Sequence, residues 1–294
     1  MDNADHLTRA IIKVAVKGTD PAGEMYRFIT LQDTACLAAE FESSRRDVEL
    51  SALRAEIIPE RYQRSMGTVG VDGQIKLLEA RVGVIGAGGL GGFVLELLAR
   101  MGTGRLVVVD GDTFADSNLN RQLLGLETNI SQSKVKAAVD RVAAVNSAVE
   151  VEPHHCLGDA SNLPAIFSRC DLVIDCLDNL PSRFDLETVC GQLGIMMIHG
   201  AIAGFLGQVA VIRPDRPLLA AIYGNIAESG VKKGVEVKLG NPAATPAMLA
   251  SWQASEAVKI LAGLEGVLAS DKLLIIDMQA GESYQVEVGR KFPK

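Results

Sequence analysis

From residue 81 onward the chain alternates short apolar, β-branched runs with longer stretches of helical periodicity. Arg81 to Ile85 is brief and apolar enough for a strand buried on both faces. Glycines follow at once, and the next apolar periodicity predicts a helix over about Leu90 to Met101. Leu106, Val149, Leu172, Ile195 and Val209 mark further strands, so the expected fold is α/β: a Rossmann-like, mainly parallel sheet with helices on both faces. Leu273 to Asp277 and Tyr284 to Val288 read as C-terminal antiparallel strands.

The first part of the chain has a different pattern. Leu7 to Lys17 is periodic and stops at Gly18, Asp20-Pro-Ala-Gly23 signals a turn, and Thr30-x-x-Asp33 caps a helix to about Phe41. Ser44-x-x-Asp47 caps another. Residues 1–57 are therefore expected to be a helical N-terminal extension, and residues 58–294 the sheet-bearing domain. Closely spaced helices invite a helix-turn-helix reading, but Arg45 to Glu56 balances its arginines with acids and offers no basic face.

Charge and cysteine usage narrow the class. A net charge of −7 gives no general affinity for nucleic acid or membrane. No run of eighteen apolar residues exists, and Met1-Asp-Asn-Ala-Asp lacks the basic start of a signal peptide, so a cytoplasmic location is expected. Five cysteines without ligand or disulfide spacing suit a reducing compartment. Cys170, Cys176 and Cys190 sit in apolar runs as small hydrophobes, and His154-His155-Cys156 reads as a surface loop before a metal site.

The chemistry concentrates after the first strand. Gly86, Gly88 and Gly91 have the G-x-G-x-x-G spacing of a turn that lets backbone approach phosphate, with the following helix N-terminus aimed at the anion. Asp110 ends the next strand, where an acid accepts hydrogen bonds from ribose hydroxyls. Beyond it, Asn118, Arg121 and Gln122 cluster donors, and Lys134 follows. Cations converging beside a phosphate loop suit a triphosphate better than the nicotinamide pocket of a hydride-transferring enzyme.

With these pieces the sequence resembles the bacterial sulfur-carrier adenylyltransferases of the ThiF/MoeB/HesA group, relatives of the ubiquitin-activating enzymes, over about residues 58 to 288. The matching residues are Arg61-Tyr-Gln-Arg64, Gly86 to Gly91, Asp110-x-Asp112, Ser117-Asn118-x-x-Arg121-Gln122, Lys134, Asp175-Cys-Leu-Asp178-Asn179 with Arg183, Gly200-Ala201, Gly207-Gln208 and Gln253 to Lys259. The resemblance implies ATP-dependent activation of the C-terminal glycine of a small ubiquitin-like sulfur-carrier protein ending in Gly-Gly. It makes residues 58–294 the adenylation domain, with ATP and Mg²⁺ as cofactors. It implies that Asp178 holds Mg²⁺ with Asn179 beside it, and that Arg121 and Lys134 stabilise the departing pyrophosphate. Asp110 and Asp112 would serve the ribose side, and Gly86, Gly88, Gly89 and Gly91 the phosphates. Arg64 would reach across a homodimer as an arginine finger.

Departures from the family pattern carry expectations of their own. The paired Cys-x-x-Cys ligands of many members are missing, so no structural zinc is expected. Ile226 stands where thioester- or persulfide-forming relatives carry cysteine, which points to adenylation without covalent transfer. Other readings are a relative of the tRNA threonylcarbamoyladenosine dehydratases, for which Lys232, Lys233 and Lys238 make too small a basic face, and a non-catalytic carrier-binding protein.

Overall fold

A computed structural model describes residues 3–20, 22–224 and 236–288. Its centre is an eight-stranded sheet in the order β11-β10-β9-β8-β7-β4-β5-β6. The strands β4 (Arg81–Ile85), β5 (Arg105–Val109), β6 (Glu150–His154), β7 (Leu172–Asp175) and β8 (Met196–Ala203) run parallel. The strands β9 (Leu206–Ile212), β10 (Lys272–Asp277) and β11 (Glu282–Glu287) continue the sheet antiparallel, in agreement with the sequence pattern.

Both faces are covered. On one lie α5 (Gly89–Met101), α6 (Lys134–Val145) and α10 (Ala244–Ala262), around a core containing Val82, Val84, Leu95, Leu98, Leu106 and Leu249. On the other lie α7 (Leu163–Phe167), α8 (Leu180–Leu193) and α9 (Leu219–Tyr223), packed on Val107, Val173 and Met197. Each such fully buried aliphatic side chain contributes about 1.5–3 kcal/mol relative to exposure, which is why these strands read as unbroken apolar runs. The strand order reverses between β4 and β7, and a ligand crevice is expected outside the carboxyl ends of strands at such a point.

The N-terminal extension is helical in the main but not throughout. Its helices are α1 (Asn3–Val14), α2 (Leu31–Glu40) and α3 (Arg45–Arg54). Thr30 and Asp33 form the predicted capping box, and Ser44 accepts from the Asp47 amide. The first helix stops three residues short of the expected Lys17, and an antiparallel hairpin of β1 (Val16–Thr19) and β2 (Met25–Ile29) takes over. The apolar periodicity that runs on to Lys17 in the sequence does not extend the helix, because Val16 belongs to a strand whose residues are mostly solvated. The turn expected at residues 20–23 closes this hairpin, with Asp20 Oδ1 accepting from the Ala22 and Glu24 amides.

At the junction, β3 (Ile58–Pro59) pairs parallel with β2, and a 3-10 segment, Glu60–Ser65, leads into α4 (Met66–Glu79). Tyr62 is buried there and donates its hydroxyl proton to Glu49 at 2.8 Å, while Asn146 donates to the same hydroxyl at 3.0 Å. Arg61 bonds the Asn146 carboxamide oxygen and faces Glu49 at 3.4 Å. Burial pushes the Glu49 carboxyl upward against the opposing pull of Arg61. Arg46 faces Glu150 at 3.4 Å, a further link from α3 to the central sheet.

Candidate active site

A cleft of about 860 Å³ opens at the carboxyl ends of β4 and β7. Its loop follows from the strand β4: the chain must leave the sheet and start α5 within three residues. Gly86 has φ +90°, and a Cβ there would lie 2.6 Å from the Cys176 carbonyl oxygen. A Cβ on Gly91 would lie 1.7 Å from the Gly86 carbonyl oxygen. The fold itself therefore demands glycine at 86 and 91. Gly88 and Gly89 differ, since a Cβ would meet only ordinary contacts at 3.5 and 3.6 Å. Both line the cleft, and among the described residues no side chain caps the N-terminus of α5, which leaves backbone amides there open to an anion.

Asp110 sits beside this loop. Its two oxygens accept from the Ala87 amide at 2.7 Å and the Asp112 amide at 2.8 Å, which fixes the carboxylate and leaves lone pairs facing the cleft. Lys134, nearly buried at the start of α6, holds Asp112 at 3.0 Å. Arg121 also lines the cleft and rests on the Ser117 carbonyl at 2.9 Å and the Asn120 side chain at 2.8 Å. Gln122 is buried with its Oε1 unpartnered, a donor-seeking atom at the cleft wall. Asn118 is not on that wall; its side chain accepts from the Ala115 amide at 3.0 Å, and it shapes the turn that presents Arg121 and Gln122.

The turn after β7 carries Asp178 and Asn179. Asn179, not Asp178, caps α8, accepting from the Ser182 amide at 3.0 Å. Asp178 is exposed in the cleft, and among the described residues its carboxylate meets only the Asn179 side-chain Nδ2, which donates to it at 3.5 Å. Arg64 is exposed on the 3-10 segment and does not line the cleft of its own chain. The sequence pattern thus converges on one crevice for Gly86, Gly88, Gly89, Asp110, Asp112, Arg121, Gln122, Lys134, Asp178 and Asn179, with Gly91 packed just behind it.

Periodicity did not point to the polar cluster beneath. Asp175 and His199 are fully buried on adjacent strands and share a 2.6 Å hydrogen bond. His199 Nε2 lies 2.9 Å from the Tyr223 hydroxyl, which reaches the cleft. Burial lowers the proton affinity of His199 below the ordinary imidazole range and raises that of Tyr223. The one available signal was a lone histidine directly after the apolar run Ile195 to Ile198, where a buried ring needs partners for both nitrogens.

The cysteines follow their expected roles as small hydrophobes where buried. Desolvation raises the Cys170 thiol to about 11 and Cys190 to about 12, and Cys176 is pushed well up as well. His154 pairs with Glu152 at 3.0 Å, and Cys156 lies at the edge of the cleft. Ile226, Lys232 and Lys233 lie outside the described residues. Metal analysis of the purified protein is expected to find no stoichiometric zinc, and one zinc per chain would show that the ligand pattern had been misread.

Comparison with known proteins agrees with this arrangement. The model of the ThiF family matches residues 62–294. The SAMP-activating enzyme E1 of Haloferax volcanii is 37% identical over 220 residues, covering 74% of this chain and 81% of that protein. The molybdopterin-synthase adenylyltransferase of Escherichia coli is 33% identical over 237 residues, 78% of this chain and 92% of that protein. The chain spans 46% of the length of the maize adenylyltransferase and sulfurtransferase MOCS3-2, at 35% identity. Among solved structures, E. coli MccB with ATP superposes with a TM-score of 0.66 over 90% of this chain and 80% of that one; at 19% identity this likeness concerns the fold alone. No described helix is long and apolar enough to cross a membrane. With the glycine loop, the acid at the end of β5 and the paired cations in place in one cleft, the chain belongs to the ThiF family.

Proposed function

We propose that this protein is an ATP-dependent adenylyltransferase that activates the C-terminal carboxylate of a small ubiquitin-like sulfur-carrier protein. The observation that carries the reading is the convergence, in one cleft, of an open glycine loop, a ribose-side acid and two cations. A carboxylate oxygen of the carrier attacks the α-phosphorus, the bond to the bridging oxygen breaks, and pyrophosphate leaves with acyl-adenylate as the product. The amides about Gly88 and Gly89 cradle phosphate oxygens, and Asp110 binds the ribose. Arg121 and Lys134 oppose the charge that grows on the leaving pyrophosphate. Lys134 is already oriented by Asp112, whereas Arg121 has to leave its neighbours Ser117 and Asn120.

The donor set fits Mg²⁺. Asp178 presents a hard, exposed carboxylate and Asn179 stands next to it, which matches an ion that takes most of its ligands from phosphates and water. Bound there, the metal would neutralise phosphate charge during transfer. Residues 58–294 form the adenylation domain in this reading, and the active unit is a homodimer in which Arg64 serves the partner's cleft. Adenylation proceeds without a covalent carrier adduct, as the isoleucine at 226 suggests.

The test is carrier-dependent exchange of labelled pyrophosphate into ATP. Exchange should require both Mg²⁺ and a carrier ending in Gly-Gly, and removing the terminal glycine should abolish it. Exchange that proceeds equally without carrier, or ATP cleavage supported by tRNA in its place, would overturn the reading.

A further inference from the structure

Asp175, His199 and Tyr223 form a continuous hydrogen-bonded chain from the buried sheet to the cleft, and its proton order can be deduced. Arg183 donates to the Tyr223 hydroxyl oxygen at 3.3 Å, and Gln208 donates to it as well. Both lone pairs of that oxygen are thereby used, so its single proton goes to His199 Nε2. His199 must then carry its own proton on Nδ1, which it gives to Asp175 Oδ2 at 2.6 Å. Every donor in the chain has one acceptor, and the direction is fixed.

The far end of this chain acts on the turn that carries Asp178. Asp175 Oδ1 accepts from the Leu177 amide at 2.9 Å. The Leu177 carbonyl accepts from Arg183 at 2.5 Å, and the same guanidinium nitrogen also donates to the Gly200 carbonyl at 3.1 Å. Arg183 faces Asp175 at 3.4 Å with both side chains buried. Both backbone polar groups of Leu177 are thus held by two side chains that His199 and Tyr223 hold in turn. Asp178 itself is exposed and, among the described residues, meets only Asn179, so its direction is set there by the backbone before it rather than by contacts of its own.

We propose that His199 and Tyr223 are positioning residues for the carboxylate of Asp178, acting through Asp175 and Arg183 on the two backbone groups of Leu177. The proposal rests on the reading of Asp178 as the metal-binding carboxylate. It goes beyond that reading by assigning function to a buried histidine and a half-buried tyrosine outside the metal-binding turn. Side chains that orient a metal ligand typically change metal affinity by about ten- to a hundredfold when removed.

The experiment measures Mn²⁺ binding by electron paramagnetic resonance in the presence of a non-cleavable ATP analogue, alongside analogue binding without metal. Tyr223→Phe, which removes only a hydroxyl, should weaken Mn²⁺ binding about tenfold. His199→Leu should weaken it more, and His199→Asn, which keeps an N–H towards Asp175, should fall between His199→Leu and wild type. Metal-free analogue affinity should be unchanged in all three. Mg²⁺ needed for half-maximal pyrophosphate exchange should rise by the same factors, with kcat recovered at saturating metal. Where His199→Leu does not fold, Tyr223→Phe decides the matter. Unaltered Mn²⁺ binding in folded Tyr223→Phe, with binding lost in Asp178→Asn, overturns the positioning role alone. A parallel loss of metal-free analogue affinity also overturns it, since the network would then be merely structural. Unaltered binding in Asp178→Asn overturns the metal reading and the positioning role together.

Discussion

Replacing Asp178 with asparagine is expected to lower carrier-dependent pyrophosphate exchange by roughly 10²-fold or more, the usual scale for losing a charge-neutralising group in a preorganised site. The fold should survive, because Asn179 rather than Asp178 caps α8 and, among the described residues, the Asp178 carboxylate has a single weak neighbour. Unfolding midpoints should therefore stay close to wild type while the rate falls. Asparagine preserves shape and removes only charge, so the loss reports on metal and phosphate and not on packing. Exchange at wild-type rates in Asp178→Asn would remove this residue from the mechanism.

The second large effect concerns Arg64. Its 3-10 segment leaves it exposed and away from its own cleft, so a role in catalysis requires a second subunit. Arg64→Ala is expected to lose most exchange activity, and Lys at this position should restore it only in part, because a planar guanidinium grips phosphate in a way an ammonium does not. Arg64→Ala and Asp178→Ala subunits, each inactive alone, should regain activity when mixed. Random exchange makes half the dimers mixed, each with one complete cleft, so recovery should approach roughly a quarter of the wild-type rate. A mixture that stays inactive after verified subunit exchange, or a fully active monomer, would show that Arg64 does not act in trans.

Legibility differed between parts of the molecule for physical reasons. The phosphate loop was readable because two of its glycines, Gly86 and Gly91, are enforced by backbone geometry, as the φ of +90° at Gly86 and the 1.7 Å approach at Gly91 show. The capping residues Thr30 and Ser44 were readable because a cap and its helix are neighbours in sequence. The hairpin Val16–Ile29 was missed because its strands are short, β1 being mostly exposed and β2 only partly buried, so no strict alternation of apolar and polar positions marks them. The pairing of Asp175 with His199 was hidden for another reason. The two residues are 24 apart in the chain and meet only through the register of β7 on β8, where they are direct partners. Asn118 could be assigned to the right turn, but whether its side chain faces ligand or backbone depends on a turn geometry that spacing does not encode.

The junction between the extension and the sheet-bearing part bears on how such a chain can change over generations. Deleting the first 57 residues would strip β3 of its partner β2 and leave the Tyr62 hydroxyl and the Arg61 guanidinium without Glu49. A buried group left unsatisfied costs about 1–3 kcal/mol, so the loss would tax the core beneath as well as remove a surface module. A lineage that discards the extension has to meet the Tyr62 hydroxyl and the Arg61 guanidinium with another acceptor or with water. These two positions lie three and two residues before Arg64, so any such remodelling acts directly on the segment that carries it.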